Sequence, residues 1–418
     1  MPILEVRDLR VSIAGVEILR GVNLYVEEGE TLGIVGESGC GKSMTGLAII
    51  GLLPGDGRVT AGEVLFDGEN LVQAGEARMR QIRGGDIAMV FQDPFTSLNP
   101  SMRVGDQVAE AMVLHRGMSW REAREEAVKA LEAVKVPAPK STARKYPHQL
   151  SGGQRQRVMI AMAFACRPRL LIADEPTTAL DVTLQAQILA LLKELQEQEG
   201  TAVILISHDI GVIGSVSDRM CVFYAGRVIE EGATEDVLRR ARHPYTQGLL
   251  ASLPGGRDRL SSIPGQPPDF RNLGSECAFA PRCPHRFSKC DEEPGLLEGD
   301  RELVRQRAER ERRAFADLDG IELDAGLVWA LPEDSARKYL AIPLKRDGTM
   351  FHVAMANPDD EAAKNAIAQE LGGRVIGVLA SKDAIEEAIE RFYSGGMKSR
   401  SPHRTACWLV VSEEAPVG

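Results

Sequence analysis

Short apolar runs alternate with helix-like stretches from residue 1 to about residue 250. The runs at 31–35, 170–173 and 202–206 are short and continuous, which predicts buried strands. Residues 107–136 are rich in Ala, Glu and Arg and are predicted to be helical. Strands that alternate with helices predict an α/β fold with a mostly parallel sheet. Another helix is predicted from an apolar face formed by Leu184, Ile188, Leu191, Leu192 and Leu195.

The periodic pattern weakens near residue 251 and returns near residue 321. Prolines between residues 254 and 268 predict a linker or an irregular extension. The charge-dense stretch 301–315 predicts a solvated helix. A second α/β region follows up to residue 393, with strands predicted at 351–355 and 375–379 and helices at 359–371 and 381–392. Ser381 is the predicted N-cap of the last helix.

Composition and charge restrict the class of function. The formal net charge is −10 and the isoelectric point is about 5.4, which argues against a nucleic-acid partner. No window approaches the roughly 18 uninterrupted apolar residues of a membrane span. The first residues carry Glu5, Arg7 and Asp8, unlike a signal peptide. We therefore expect a cytosolic chain whose membrane role depends on partner proteins.

A glycine-rich loop follows the first predicted strand. Residues 36–43, Gly-Glu-Ser-Gly-Cys-Gly-Lys-Ser, fit the phosphate-loop motif between a strand and a helix. Glycines let backbone N–H groups turn towards phosphate oxygens, Lys42 neutralises phosphate charge and Ser43 can bind Mg²⁺. The predicted nucleotide-binding residues of this loop are Gly36, Ser38, Gly39, Cys40, Gly41, Lys42, Ser43 and Met44.

Two carboxylates end the predicted strand at 170–173. Asp174 is predicted to act on Mg²⁺, directly or through water, as in other phosphate-loop NTPases. Glu175 is predicted to polarise the attacking water as a general base. The pair alone is a weak signal, since many buried strands end in Asp-Glu.

The segment Leu-Ser-Gly-Gly-Gln at 150–154 resembles the hallmark of the ABC ATPases. The resemblance implies a cassette with a RecA-like core and a helical subdomain, and it implies ATP binding and hydrolysis. It also implies a second cassette whose Leu-Ser-Gly-Gly-Gln segment covers the nucleotide. Residues 91–94 resemble the Q-loop, residues 178–181 the D-loop and residues 206–209 the switch segment. The roles carried over fall on Gln92 (γ-phosphate sensing and Mg²⁺), Ser151, Gly152, Gly153, Gln154, Asp181 and His208.

One position departs from the family pattern. Ile13 lies where family members usually place an aromatic residue against adenine. The change predicts either a weaker adenine contact or a substitute contact from another residue. We expect nucleotide binding to persist, because phosphate contacts dominate recognition by phosphate loops.

Four stretches resemble the oligopeptide/dipeptide importer subfamily, at 91–100, 146–157, 173–182 and 243–250. The resemblance implies a peripheral ATPase at the cytoplasmic face of the inner membrane. It implies partner permeases, a second ATPase subunit in a homo- or heterodimer and, indirectly, an extracytoplasmic binding protein. Nickel and glycopeptide carriers belong to the same subfamily, so these cargoes remain alternatives.

The cysteines of the extension resemble a C-terminal motif of this subfamily. Cys277, Cys283 and Cys290 have its spacing, and Cys407 resembles the displaced fourth member. Four thiolates can hold a [4Fe–4S] cluster or zinc, and ordinary reduced cysteines are the third alternative. On this interpretation the ATPase domain covers 1–255, and the extension covers 256–295 and is completed by 403–411.

The region 320–395 resembles the N-terminal domain of type II secretion and type IV pilus assembly ATPases. The stretches that carry the resemblance are 331–344, 353–358, 378–381 and 385–393. It implies an adaptor or regulatory domain. A nucleotide-sensing regulatory ABC protein is therefore an alternative to a transport motor.

Overall fold

The computed structural model describes residues 2–178, 180–253, 263–294, 297–298, 314–316, 318, 323–393 and 404–405. The chain divides into two compact units, Met1–Glu293 and Pro294–Gly418. The extension predicted at 256–295 therefore lies almost entirely in the first unit. Its separation from the ATPase domain at residue 255 stays a prediction, as does its completion by 403–411, most of which lies outside the described residues.

The strands of the first unit form two sheets. They are β1 Leu4–Ile13, β2 Val16–Val26, β3 Thr31–Val35, β4 Arg58–Phe66, β5 Glu69–Asn70, β6 Ile87–Val90, β7 Leu170–Asp174, β8 Ala202–Ser207, β9 Arg219–Tyr224 and β10 Arg227–Ala233. Within this unit the larger sheet has the order β10-β9-β3-β8-β7-β6. Its strands are parallel except for β10, which pairs antiparallel with β9.

The parallel sheet confirms the three strands predicted from apolar runs. Every residue of β3, β7 and β8 is buried, as expected for strands covered on both faces. Because parallel strands end at one edge, the segments that follow β3, β7 and β8 meet there.

The second sheet is antiparallel, with the order β2-β1-β4-β5. Its pairing contains register shifts, for example between Val6 and Leu9 on β1. Sequence periodicity did not predict these strands. The sheet borders the phosphate loop, since a Cβ on Gly41 would lie 2.9 Å from Leu19 of β2.

Helices cover the parallel sheet and form a separate helical region. In the first unit they are α1 Lys42–Ile49, α2 Glu76–Ile82, α3 Pro94–Ser97, α4 Val104–Arg116, α5 Trp120–Ala133, α6 Pro139–Thr142, α7 Gly152–Phe164, α8 Val182–Glu199, α9 Ile210–Val216, α10 Thr234–Arg239 and α11 Pro244–Ala251. The helical stretch predicted at 107–136 is two helices. Gly117 ends α4 in a left-handed conformation, and Ser119 and Glu122 form a capping box that begins α5.

The extension is built from short 3₁₀ turns at Phe270–Asn272, Ala280–Arg282 and Ser288–Asp291. Its ends are joined where the Cys277 N–H donates to the Cys290 carbonyl at 3.0 Å. An ion pair of 3.0 Å between Arg20 of β2 and Glu293 ties it to the small sheet.

The second unit contains a three-stranded sheet of β12 Ala341–Asp347, β13 Met350–Met355 and β14 Arg374–Leu379, and the short pair β11 Leu297–Glu298 and β15 Arg404–Thr405. Its described helices are α12 Ala325–Val328, α13 Glu333–Tyr339, α14 Glu361–Leu371 and α15 Lys382–Tyr393. The predicted strands and helices of this region are confirmed, and β12 was missed. The Ala384 N–H donates to Ser381 Oγ at 3.2 Å, which confirms the predicted N-cap.

The helix predicted at 301–315 is wrong at its C-terminal end. Phe315 forms a parallel bridge with Leu379, the last residue of β14. The Ala316 N–H donates to the Leu379 carbonyl at 2.9 Å, so this backbone is extended. Residues 301–313 lie outside the described residues.

Candidate functional site

The phosphate loop joins β3 to α1, and two of its glycines, Gly36 and Gly41, have no room for a side chain. A Cβ on Gly36 would lie 2.3 Å from the Phe223 carbonyl oxygen. Gly41 has φ +109°, a conformation that favours glycine. Ser38 and Gly39 are exposed, Cys40 is buried and Met44 is half-buried. The sequence therefore dictates a tight loop that turns directly into a helix N-terminus, where anions bind.

Lys42 is buried and folded back along the loop. Its Nζ donates to the carbonyl oxygens of Gly36 at 2.8 Å and Glu37 at 2.9 Å. The ammonium group thus lies inside the curve of the loop, where incoming phosphate oxygens can replace these carbonyls as acceptors.

Ser43 and Asp174 bring two hard oxygen donors together. Ser43 Oγ donates to Asp174 Oδ1 at 2.9 Å. Burial raises the pKa of Asp174, although the hydrogen bond from Ser43 opposes that rise. A serine hydroxyl and a carboxylate next to a phosphate loop are ligands that Mg²⁺ prefers, so these residues fit the ion.

Glu175 is the centre of a polar cluster at the end of β7. Gln92 Nε2 donates to Glu175 Oε2 at 3.0 Å, and Thr178 Oγ1 donates to the same oxygen at 2.8 Å. His208 Nδ1 lies 3.2 Å from Glu175 Oε1. Three residues predicted from separate motifs, Gln92, Glu175 and His208, therefore meet. Thr178 was part of a quoted motif, but sequence reasoning assigned it no role.

The charge of Glu175 is stabilised by this cluster. Burial disfavours the carboxylate, but hydrogen bonds from Thr178 and His208 outweigh it and lower the pKa of Glu175. The residue has φ +46°, an unusual conformation for a residue other than glycine. Its N–H donates to the Ile206 carbonyl of β8 at 3.0 Å, which fixes that backbone.

The Leu-Ser-Gly-Gly-Gln residues form a separate site at the start of α7. Ser151 accepts a hydrogen bond from the Gln154 N–H at 3.3 Å, and Gln154 Oε1 accepts from the Ser151 N–H at 3.1 Å. Gly152 leaves open space above the helix, whereas a Cβ on Gly153 would clash with Leu184. Asp181 caps α8 through the Leu184 N–H at 2.9 Å. Within the described part of the chain, no hydrogen bond joins these residues to the phosphate loop.

The cysteines of the extension do not form a metal site in the described residues. Among those residues, no three His, Cys, Asp or Glu side chains are grouped to hold a metal, and this includes Cys277, Cys283 and Cys290. Burial raises the pKa of Cys277 to about 11, which favours the protonated thiol. Cys407 lies outside the described residues. An iron–sulfur cluster or zinc therefore has no support from the residues that the structure describes.

Comparison with known families gives three matches along the chain. Residues 19–178 match the ABC transporter family, and residues 229–290 match the oligopeptide/dipeptide transporter C-terminal region. Residues 312–399 match the MshEN domain.

Curated relatives match over most of their length. The oligopeptide transport ATP-binding protein OppD of Salmonella typhimurium is 50% identical over 302 residues, which cover 70% of this chain and 90% of OppD. The dipeptide transport ATP-binding protein DppD of Bacillus subtilis is 47% identical over 329 residues, covering 76% of this chain and 98% of DppD. The chain belongs to this family of transport ATP-binding proteins. It is the ATP-hydrolysing subunit of an ABC transporter.

A solved structure of the ATP-binding cassette MJ0796, a dimer bound to ADP and Pi, shares this fold. It is 33% identical, with a TM-score of 0.50, and covers 55% of this chain and 98% of that cassette. The predicted ABC ATPase cassette fold is confirmed. Across the described residues, we find no helix long and apolar enough to cross a membrane.

Proposed function

We propose that this subunit powers the import of di- and oligopeptides through partner permeases from the cytoplasmic face of the inner membrane. Relatives from two bacteria are named oligopeptide or dipeptide transport proteins, which favours peptides over nickel or glycopeptides as cargo. The family match at 229–290 supports the same class, since it lies outside the motifs that carry the predicted nucleotide-binding residues.

The assembled polar cluster supports hydrolysis, and it is the observation that carries the proposal. Lys42 would neutralise the β- and γ-phosphates, while Ser43 and Asp174 would hold Mg²⁺. Mg²⁺ held by these two residues would supply neutralisation of the negative charge that develops on the phosphates. Glu175 would accept a proton from the attacking water. Gln92 and His208, which contact the Glu175 carboxylate, would sense the γ-phosphate. An assembled cluster of this kind argues against a purely nucleotide-sensing regulatory protein.

A second cassette is needed to complete the site. Ser151 is exposed and Gly152 is open at the N-terminus of α7, so this surface is available to phosphate oxygens. Among the residues that the structure describes, this surface makes no hydrogen bond to the chain's own phosphate loop, and we propose that it covers the ATP of a partner cassette, with Asp181 at the same interface. The dimeric state of MJ0796 supports this arrangement.

An apolar cavity beside the Q-loop is the proposed permease contact. Its volume is about 270 Å³, and its lining includes Leu52, Phe91, Met89, Met159 and Met162. Phe91 and Leu52 are both exposed, and apolar side chains exposed together are typical of a protein–protein contact site. Phe91 precedes Gln92, so a permease segment in the cavity would lie next to the residue that donates to Glu175. An extracytoplasmic binding protein would act through the permeases.

The test is Mg²⁺-dependent ATP turnover of Glu175→Gln against Glu197→Gln, an exposed control on α8. Loss of the general base should lower turnover at least about 100-fold, and ATP should trap a dimer visible by size-exclusion chromatography. The control should match the unmodified protein. Normal turnover by Glu175→Gln would show that Glu175 is not the base. Uptake of labelled dipeptide, compared with nickel, in vesicles carrying the permeases and binding protein tests the cargo.

A further inference from the structure

Glu37 is the second residue of the phosphate loop, and its backbone N–H, its carbonyl and its carboxylate all form hydrogen bonds. Its N–H donates to the Tyr245 hydroxyl at 2.8 Å, and its carbonyl accepts from Lys42 Nζ at 2.9 Å. Its carboxylate accepts two hydrogen bonds from Arg282, at 2.6 and 2.9 Å. The motif leaves the identity of this position open, so its contacts were not predictable from the sequence.

Arg282 comes from the extension, 245 residues further along the chain. Its side chain is 4% exposed, and its contacts fix its orientation. Nε donates to the Pro264 carbonyl at 2.8 Å, and Nη1 also donates to the Tyr224 hydroxyl at 3.3 Å. A buried, bidentate arginine–carboxylate pair is stronger and more directional than an exposed ion pair. Arg282 therefore restrains the position of Glu37.

An aromatic cluster supports the same connection. Phe279 of the extension packs against Tyr224 and Tyr245, with ring centroids 5.3 and 5.5 Å apart. Tyr245 is fully buried, and its N–H donates to His243 Nδ1 at 3.0 Å. The extension thus contacts the phosphate loop directly through Arg282. Its Phe279 also packs against Tyr245, which accepts a hydrogen bond from the backbone of the loop.

We propose that Arg282 is a positioning residue, through which the extension holds the phosphate loop in its ATP-accepting shape. The inference rests on the proposed function, because it requires ATP to bind this loop. Without Arg282, Glu37 would lose the partner of its carboxylate, and the loop would have to be ordered by the nucleotide itself. Ordering on binding weakens affinity, so ATP affinity should fall while the chemical step changes less.

A second ion pair allows the positioning role of Arg282 to be distinguished from mere attachment of the extension to the cassette. Arg20 and Glu293 also join the extension to the cassette, and their side chains are 14% and 16% exposed. Arg20 lies on β2 and makes no hydrogen bond to the phosphate loop in the described chain. Arg20→Met therefore loosens the extension without removing the contact to Glu37.

The experiment measures ATP dissociation constants and steady-state KM and kcat on the full chain. We expect Arg282→Met and Glu37→Gln each to weaken ATP binding and raise KM about tenfold, with kcat changed less than about threefold. Arg282→Lys should recover part of the affinity. The double variant should be no weaker than either single variant, because both remove one interaction. Arg20→Met should stay within about twofold of the unmodified protein.

Three outcomes would overturn the proposal. These are unchanged ATP affinity in Arg282→Met, an equal loss in Arg20→Met, and strictly additive losses in the double variant. Should Arg282→Met fail to fold, the affinity of Glu37→Gln decides the matter, because that change preserves the side-chain shape. Failure of the unmodified chain to bind ATP would instead contradict the proposed function.

Discussion

Glu175 shows how a single carboxylate is kept charged in a half-enclosed position. Gln92 and Thr178 both donate to Oε2, while His208 faces Oε1. A lowered pKa makes Glu175 a weaker base than a carboxylate near neutrality, but it ensures the charged form throughout the physiological range. The hydrogen bonds therefore make Glu175 less basic, but they also hold its carboxylate in one orientation.

Removal of the Thr178 hydroxyl tests this balance. Thr178→Val preserves the shape but deletes the hydrogen bond of 2.8 Å to Glu175. Because that bond lowers the pKa of Glu175, its loss should raise the pKa and move the acidic limb of the pH–kcat profile to higher pH. We also expect kcat at pH 7.5 to fall about three- to tenfold from poorer orientation. Thr178→Ser, which retains the hydroxyl, should restore both values, and an unmoved acidic limb would contradict the assignment.

At the scale of elements, α11 shows how buried polar groups fix a short helix. His243 precedes the helix and accepts the Tyr245 N–H through Nδ1. Glu230 of β10 accepts the His243 N–H at 3.1 Å. Burial lowers the pKa of His243 to about 4, although the nearby Glu230 charge opposes the change. The imidazole is therefore neutral in the folded protein, as its acceptor role at Nδ1 requires.

This lowered pKa predicts a pH dependence for α11. The pKa of His243 is 6.5 when α11 is unfolded and about 4 when it is folded. At a pH between these values, His243 therefore binds a proton in the unfolded state but not in the folded state. The stability of α11 should therefore be complete above pH 6.5 and decline as the pH falls, by roughly 1 kcal/mol between pH 7.5 and 5.5. Protection factors of the α11 amides, measured by hydrogen exchange, check this. His243→Asn retains a capping acceptor but does not titrate, and an equal decline in that variant would contradict the explanation.

Sequence patterns predicted the elements in which burial alone determines where apolar residues occur. β3, β7 and β8 are covered on both faces, so their apolar runs were clear. β1 escaped prediction because its pairing is interrupted near Asp8, which has φ +42°, and these irregularities break the two-residue period. Local capping chemistry decided the division between α4 and α5, and Ser119 was the signal that could have predicted it.

At the scale of the whole molecule, topology determines which site residues meet. Asp174 ends β7, while Gln92, Glu175 and His208 follow parallel strands, so the topology brings these residues together at one sheet edge. Arg282 follows no strand of that sheet, and its contact with Glu37 depends on how an irregular extension folds back. Such contacts depend on side-chain packing, which periodicity does not report. For the same reason, no role was predicted for Thr178.

The division of the chain into two units predicts which residues are sufficient for ATP binding and hydrolysis. The parallel sheet, the small sheet and the Arg282–Glu37 pair all lie in Met1–Glu293. A chain ending at Glu293 should therefore fold, bind ATP within about twofold of the full chain and hydrolyse it, because domains carry their own cores. A chain ending at Leu253 lacks Phe279 and Arg282, so it should bind ATP about tenfold more weakly. ATP titration and turnover of both chains beside the full protein check this. Loss of ATP binding already in the longer chain would mean that residues 294–418 complete the nucleotide site.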